Sequence, residues 1–232
     1  MDKKIAILQS NYIPWKGYFD LINMVDEFIL LDNVQYTRSD WRNRNKIKTP
    51  HGIQWLTIPV EIKGKHHQKI CETLVCGTKW RVIHWKTIIQ NYSKAKYFAE
   101  YKNLFEELYL NRDEKYLSLI NFRFLSTICK ILGIDTHISW SMDYEMINGK
   151  TERLIYLCKQ AKATEYLAGP ASKNYIEENL FEETGIKLIY MDYSGYPEYC
   201  QLFPPFIHEV SIIDLIFNEG PDAIKFLKSC QQ

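Results

Sequence analysis

Ile5-Ala6-Ile7-Leu8 and Phe28-Ile29-Leu30-Leu31-Asp32 decide the reading of this chain. Each is a short continuous apolar run, the pattern of a strand buried on both faces. Between them, Ser10 to Lys16 reads as a loop containing Pro14, and apolar residues at 18, 21, 22 and 25 recur at helical spacing. Strand, loop, helix and strand in that order make a βαβ unit, so the two strands are expected to run parallel. In parallel sheets ligands bind beyond the carboxyl ends of the strands. Two polar segments lie there: Gln9-Ser10-Asn11-Tyr12 and Asp32-Asn33-Val34-Gln35-Tyr36.

Residues 37–53 read as a polar excursion and 54–60 as a strand. Residues 62–68, with Gly64 and His66-His67, read as a turn or mobile loop, and 70–75 as a further strand. Helices are expected over 80–92, 97–110 and 115–132, the last closed by Gly133. A strand at 138–140 precedes an amphipathic helix at 151–161, with Thr151 as its candidate cap. Strand 165–168 runs into Gly169-Pro170-Ala171-Ser172, whose amides could meet a phosphate or form an ordinary turn. A short helix at 174–179, a strand at 187–190 and helices at 211–217 and 222–227 complete the chain. No linker, repeat or low-complexity run divides it. The expectation is one α/β domain over 1–232 with a helical insertion at about 79–133.

Composition excludes several classes. Lys plus Arg number 29 and Asp plus Glu 28, which argues against a broad nucleic-acid or anionic-membrane surface. A local basic patch remains at 38–48. The N-terminal apolar run is too short for a signal peptide and no stretch reaches a membrane span, so the protein is expected in the cytoplasm. The six cysteines lack ligand spacing and are expected as free thiols, several of them buried. No metal site and no cofactor are expected, and oligomeric state is left open. Sixteen Tyr and six Trp suit either an aromatic pocket or an aromatic core.

Several blocks carry a family resemblance. They are Gln9, Tyr18, Asp32-x-x-Gln35-Tyr36, Trp41-x-Asn43-Arg44-Asn45, Trp55 to Val60, Tyr199-x-Gln201, Ser211 to Leu215 and Asn218-x-Gly220. In this order they resemble the WbqC-like family of bacterial surface-polysaccharide gene clusters. The resemblance implies a role in making or decorating an activated sugar. The first βαβ unit is also similar to the opening of the nucleotidyltransferase-like fold, although Tyr18 stands where those enzymes usually carry a His. The expected fold is therefore α/β, with a mostly parallel sheet of Rossmann-like or nucleotidyltransferase-like type.

Individual residues offer chemistry. Asp32 ends a strand, where an acid can bind a hydroxyl or amine or act as a base; it could equally cap a turn. Trp41-Arg42-Asn43-Arg44-Asn45 provides two guanidiniums, two amides and an indole, a set suited to phosphate, carboxylate and sugar hydroxyls, or else a solvated loop. His84 is either a general base or a hydrogen-bonded core residue. With Asp32 and His84 as catalytic candidates, the substrate-binding set is Gln9, Asn11, Tyr12, Tyr18, Gln35, residues 41–45, Tyr199 and Gln201. Tyr199 and Gln201 are expected to reach the same sheet edge from the late strand, so that Asp32, Arg44 and Gln201 share one pocket.

The leading expectation is a transferase moving an acyl or aminoacyl group onto an amino sugar held on a nucleotide carrier. Its partners are then that nucleotide sugar and an acyl or aminoacyl donor. The alternatives are a non-catalytic binding or scaffold protein of the polysaccharide machinery, and a nucleotidyltransferase-like enzyme.

Overall fold

The computed structural model describes residues 2–111 and 113–231. Its centre is a wholly parallel five-stranded sheet of order β5-β2-β1-β6-β7. The strands are β1 (Lys4–Leu8), β2 (Glu27–Leu30), β5 (His137–Trp140), β6 (Glu165–Ala168) and β7 (Lys187–Tyr190). Helix α1 (Lys16–Asn23) makes the first crossover, and Leu8 of β1 lies level with Leu30 of β2.

Alternation along the strands explains the layers, because successive side chains point to opposite faces. Ala6, Phe28, Leu30 and Leu167 face one core, with Phe19 and Ile22 of α1. Helices α2 (Lys79–Tyr92), α3 (Phe98–Leu110), α4 (Leu117–Leu132) and α7 (Ile212–Glu219) pack into the same core. Ile5, Ile7, Ile29, Tyr166 and Ala168 face a second core formed with α5 (Thr151–Gln160) and α6 (Glu178–Glu182). Burial on both faces is why the first two strands lack polar alternation. Gly133 ends α4 at φ +68°; its N–H donates to the Lys130 carbonyl at 3.3 Å and the Ile134 N–H to the Cys129 carbonyl at 2.9 Å, which closes the last turn.

Four local expectations are corrected. The supposed polar excursion holds a strand: β3 (Arg44–Thr49) pairs antiparallel with β4 (Gly52–Thr57). Charged residues at 44, 46 and 48 hid it, and Ile47 is the one apolar residue on β3. Residues 70–72 form a 3-10 turn instead of a strand, because Glu72 Oε2 accepts the Lys69 N–H at 3.0 Å and closes it. Thr151 does not cap α5; its hydroxyl oxygen accepts the Glu177 N–H at 3.1 Å and ties α5 to the segment before α6. The helix expected at 174–179 is split into a 3-10 turn at Pro170–Asn174 and α6.

All six cysteines are free, with Cys129 and Cys158 buried. Among the described residues, no helix is long and apolar enough to cross a membrane.

Candidate functional site

The sheet winds from β1 to β2 and on to β5 in one direction, then crosses to β6 and β7 on the other side of β1. The direction therefore reverses between β1 and β6, and the crevice outside their carboxyl ends is where open α/β sheets bind ligands. A cleft of about 460 Å³ lies there. Gln9 and Asn11 come from the end of β1, Gly169 to Ser172 from the end of β6, and Tyr193 from beyond β7. Trp15, Tyr18, Trp41, Arg42 and Tyr175 complete the walls. Asn11, Trp15, Trp41 and Tyr193 also border an adjoining apolar cavity of about 240 Å³, which Glu209 and Asn45 line.

Buried polar groups hold these loops in place. Asp32 is fully buried; one carboxylate oxygen accepts the Ser10 N–H at 2.8 Å and the other the Ser118 hydroxyl. Asn121 Nδ2 donates to Ser10 Oγ at 3.0 Å and to the Arg42 carbonyl at 2.8 Å, joining the loop after β1 to the segment before β3. Asn45 Nδ2 donates to the Tyr12 and Ile13 carbonyls, both at 3.0 Å. Ile13 needs that support: it is a β-branched residue at φ +37°, a conformation that costs roughly 1–3 kcal/mol.

The candidate residues separate into two groups. Gln9, Asn11, Tyr18, Trp41 and Arg42 line the cleft, and Asn45 lines the cavity beside it. Arg42 Nη1 donates to Asn11 Oδ1, and Nη2 lies 3.6 Å from Asp40. The Tyr18 hydroxyl donates to the Gln9 carbonyl at 2.9 Å. Trp41 stands 40% exposed with its ring centroid 5.5 Å from that of Trp55.

The others are elsewhere. Asp32 lies beneath the loop as its anchor, without access to a ligand. Tyr12 and His84 are core residues: the Tyr12 hydroxyl bonds His84 Nδ1 at 2.9 Å and the Tyr109 hydroxyl at 2.7 Å. Asn43 is buried and donates to the Ile58 carbonyl at 2.8 Å. The Arg44 guanidinium stacks on Trp55 at 4.3 Å. Gln35 donates to the His66 carbonyl at 2.8 Å and lines two cavities beside the cleft but not the cleft itself.

Tyr199 and Gln201 form a different node. The Tyr199 hydroxyl donates to Asp214 Oδ2 at 2.6 Å and Gln201 Nε2 donates to the same oxygen at 3.0 Å. β7 is parallel, as expected, but Tyr193 is the residue that reaches the cleft from it. Beyond Gly195 the chain wraps α1: the Tyr196 hydroxyl donates to Asp20 at 2.5 Å and Lys16 Nζ to the Pro197 carbonyl at 2.6 Å. That turn carries Tyr199 and Gln201 away, so Asp32, Arg44 and Gln201 do not share a pocket.

Electrostatics suit binding. Burial raises the hydroxyl pKa of Tyr18 and Tyr175, and pushes that of Tyr193 up to about 12, so these phenols stay protonated donors at neutral pH. Burial raises the Asp32 carboxyl above its usual range, against the hydrogen bonds from Ser118 and Ser10. Burial pushes His84 down to about 4, so its ring is neutral at physiological pH. Among the described residues, no cluster of His, Cys, Asp or Glu is placed to hold a metal ion.

Trp15, Tyr175, Tyr193 and Glu209 had no signal in the sequence as site residues, because each lies in a segment whose path only packing sets. Lys150 and Arg153, in a neighbouring cavity, had a weak one: cations at the N-cap and in the first turn of α5, where acids are favoured.

Against known proteins, the family model described as the WbqC-like protein family matches residues 9–226. A Mycobacterium tuberculosis protein, "Uncharacterized protein Rv1507c", is 53% identical over 230 residues, covering 99% of this chain and 100% of its own length. No solved structure gives a significant match.

Proposed function

The chain belongs to the WbqC-like protein family, and from that premise we propose that it binds a nucleotide-linked amino sugar of surface-polysaccharide synthesis in the β1/β6 cleft and transfers an acyl or aminoacyl group to the sugar's amine. The observation that carries this reading is the cleft itself, where indole and phenol faces meet Gln9, Asn11, Arg42 and Ser172 at the reversal of the sheet. Flat aromatic faces cover the apolar face of a sugar ring, and forked donors and amides select its hydroxyls.

The chemistry asks little of the protein. An unprotonated amine is itself a fair nucleophile, so orientation towards the donor carbonyl supplies much of the acceleration. Nitrogen bonds to the carbonyl carbon, the donor's leaving group departs with its electron pair, and the amine gives up a proton. Glu209 is the one carboxylate among the described residues lining the cleft and its adjoining apolar cavity, and we assign it to receive that proton.

Thermal shift against a panel of dideoxy-amino-sugar nucleotides tests the binding. At least one is expected to raise the melting temperature, and no shift with any overturns the reading. A second reading, a non-catalytic binding protein, is favoured by the burial of Asp32 and His84 away from the cleft. Glu209→Gln separates the two: loss of acylated product with ligand binding retained supports transfer, whereas binding without any product in wild-type protein supports the binder.

A further inference from the structure

Across Gln9 and Tyr175 from the aromatic cleft lies a second cavity, of about 530 Å³. Gln9 and Tyr175 line both, so the two are lobes of one groove along the carboxyl edge of the sheet. Their characters differ. The first lobe is walled by aromatic rings with Arg42. The second carries Lys150 and Arg153, with the Gln35 amide and the apolar side chains of Leu31 and Val34.

Among the described residues, neither Lys150 nor Arg153 belongs to an ion pair. Arg153 donates Nε to the Ile147 carbonyl at 3.1 Å, which orients the guanidinium and leaves its Nη fork for another acceptor. Lys150 Nζ lies 5.9 Å from the Tyr175 ring centroid, beside the junction of the lobes. The Glu152 carboxylate lies against Gly149, which lines the cavity, and among the described residues it pairs with neither cation. Two like charges on one wall repel until an anion sits between them. A guanidinium fork beside a point charge suits adjoining phosphates, since Arg binds them bidentately and Lys through its charge.

We propose that this second lobe is a phosphate subsite, in which Lys150 and Arg153 hold the pyrophosphate bridge of the nucleotide while the sugar lies in the aromatic lobe. The inference rests on the nucleotide-sugar reading above and adds the place and partners of the charged part of that ligand. Gln9 and Tyr175, at the junction, then contact the link between sugar and phosphate.

Calorimetric titration tests it with the tightest-binding member of the amino-sugar nucleotide panel and with the corresponding nucleoside diphosphate alone. The proteins are wild type, Lys150→Ala, Arg153→Gln and the double variant. Arg153→Gln keeps a donor for the Ile147 carbonyl, and thermal melts establish that each variant is folded. Affinity for both probes is expected to fall about tenfold per cation removed, more at low salt than at high. Trp41→Ala is expected to weaken the sugar nucleotide and spare the nucleoside diphosphate. Wild-type affinity for both probes in the folded double variant overturns the phosphate subsite and leaves the nucleotide-sugar reading standing. Absence of binding to wild-type protein overturns both.

Discussion

Asp32 and Asp214 are both fully buried, and burial raises the carboxyl pKa of each. In the sequence they look unlike: one ends a strand at a sheet edge, the other falls in an apolar helix. In the structure they do similar work in different places. Asp32 holds Ser10 and Ser118 beneath the loop that lines the cleft. Asp214 accepts Tyr92 at 2.8 Å, Tyr199 and Gln201, and Tyr92 in turn accepts the Lys48 N–H at 3.0 Å, so this node joins α2, α7, β3 and the 199–207 segment. A raised carboxyl pKa marks burial in both, and only position decides whether such an acid lies beside the cleft.

The largest expected effect is on Asp214→Ala. It removes the acceptor of three donors, of which Gln201 Nε2 keeps the Ile207 carbonyl, and leaves a void, so a loss of about 3–5 kcal/mol in urea unfolding is expected, with cleft affinity of the folded protein unchanged. A change in affinity would show that the two nodes are coupled.

The next effect comes from pH and separates both acids from His84. The His84 pKa drops on folding, so its neutral form supports the fold above the ordinary histidine value of 6.5 and that support is lost as pH falls towards about 4. At about 1.4 kcal/mol per unit, the interval amounts to about 3 kcal/mol. The aspartates act oppositely. Their pKa values rise on folding, so their contribution is full below the ordinary value of about 4 and declines as pH rises through the native values. Chemical denaturation from pH 4 to 7 is expected to show a shallower rise for His84→Gln than for wild type, and a steeper rise for Asp214→Asn. Unchanged slopes would remove the burial argument.

The smallest effect on stability, about 1–3 kcal/mol, is expected for Asp32→Ala, which frees fewer donors. Its consequence at the site is the larger one. With Ser10 unanchored, Gln9 and Asn11 lose their register, and affinity for a sugar nucleotide is expected to fall about tenfold by calorimetry. Unchanged affinity would make the two aspartates equivalent and remove Asp32 from any role at the cleft.

Much of this molecule was legible in its residues. Continuous apolar runs at 5–8 and 28–31 identified a parallel βαβ unit, because only a strand covered on both faces dispenses with polar alternation. The carboxyl edge of the sheet followed from that, and with it the place of Gln9 and Asn11; Tyr18 stood out in the family blocks and Trp41 and Arg42 in the 41–45 cluster, and all five line the cleft. The family blocks were also visible, spread along the chain, although several of them turn out to hold the fold together instead of facing the cleft: Asn43 on Ile58, and Tyr199 and Gln201 on Asp214.

Tertiary structure alone decided the rest. Sequence periodicity reports which face of an element is buried, but it carries no information on where a loop goes after the element ends. Tyr193 reaches the cleft and Tyr199 does not, although both follow β7, because Tyr196 and Pro197 are captured by α1. Asp32 and His84 both had the chemistry of a base, and burial among bonded neighbours keeps both out of the cleft. Lys150 and Arg153 stand one crossover away from the strands that announce the site, and they meet it only because a parallel sheet starts its return helices at the edge where its strands finish.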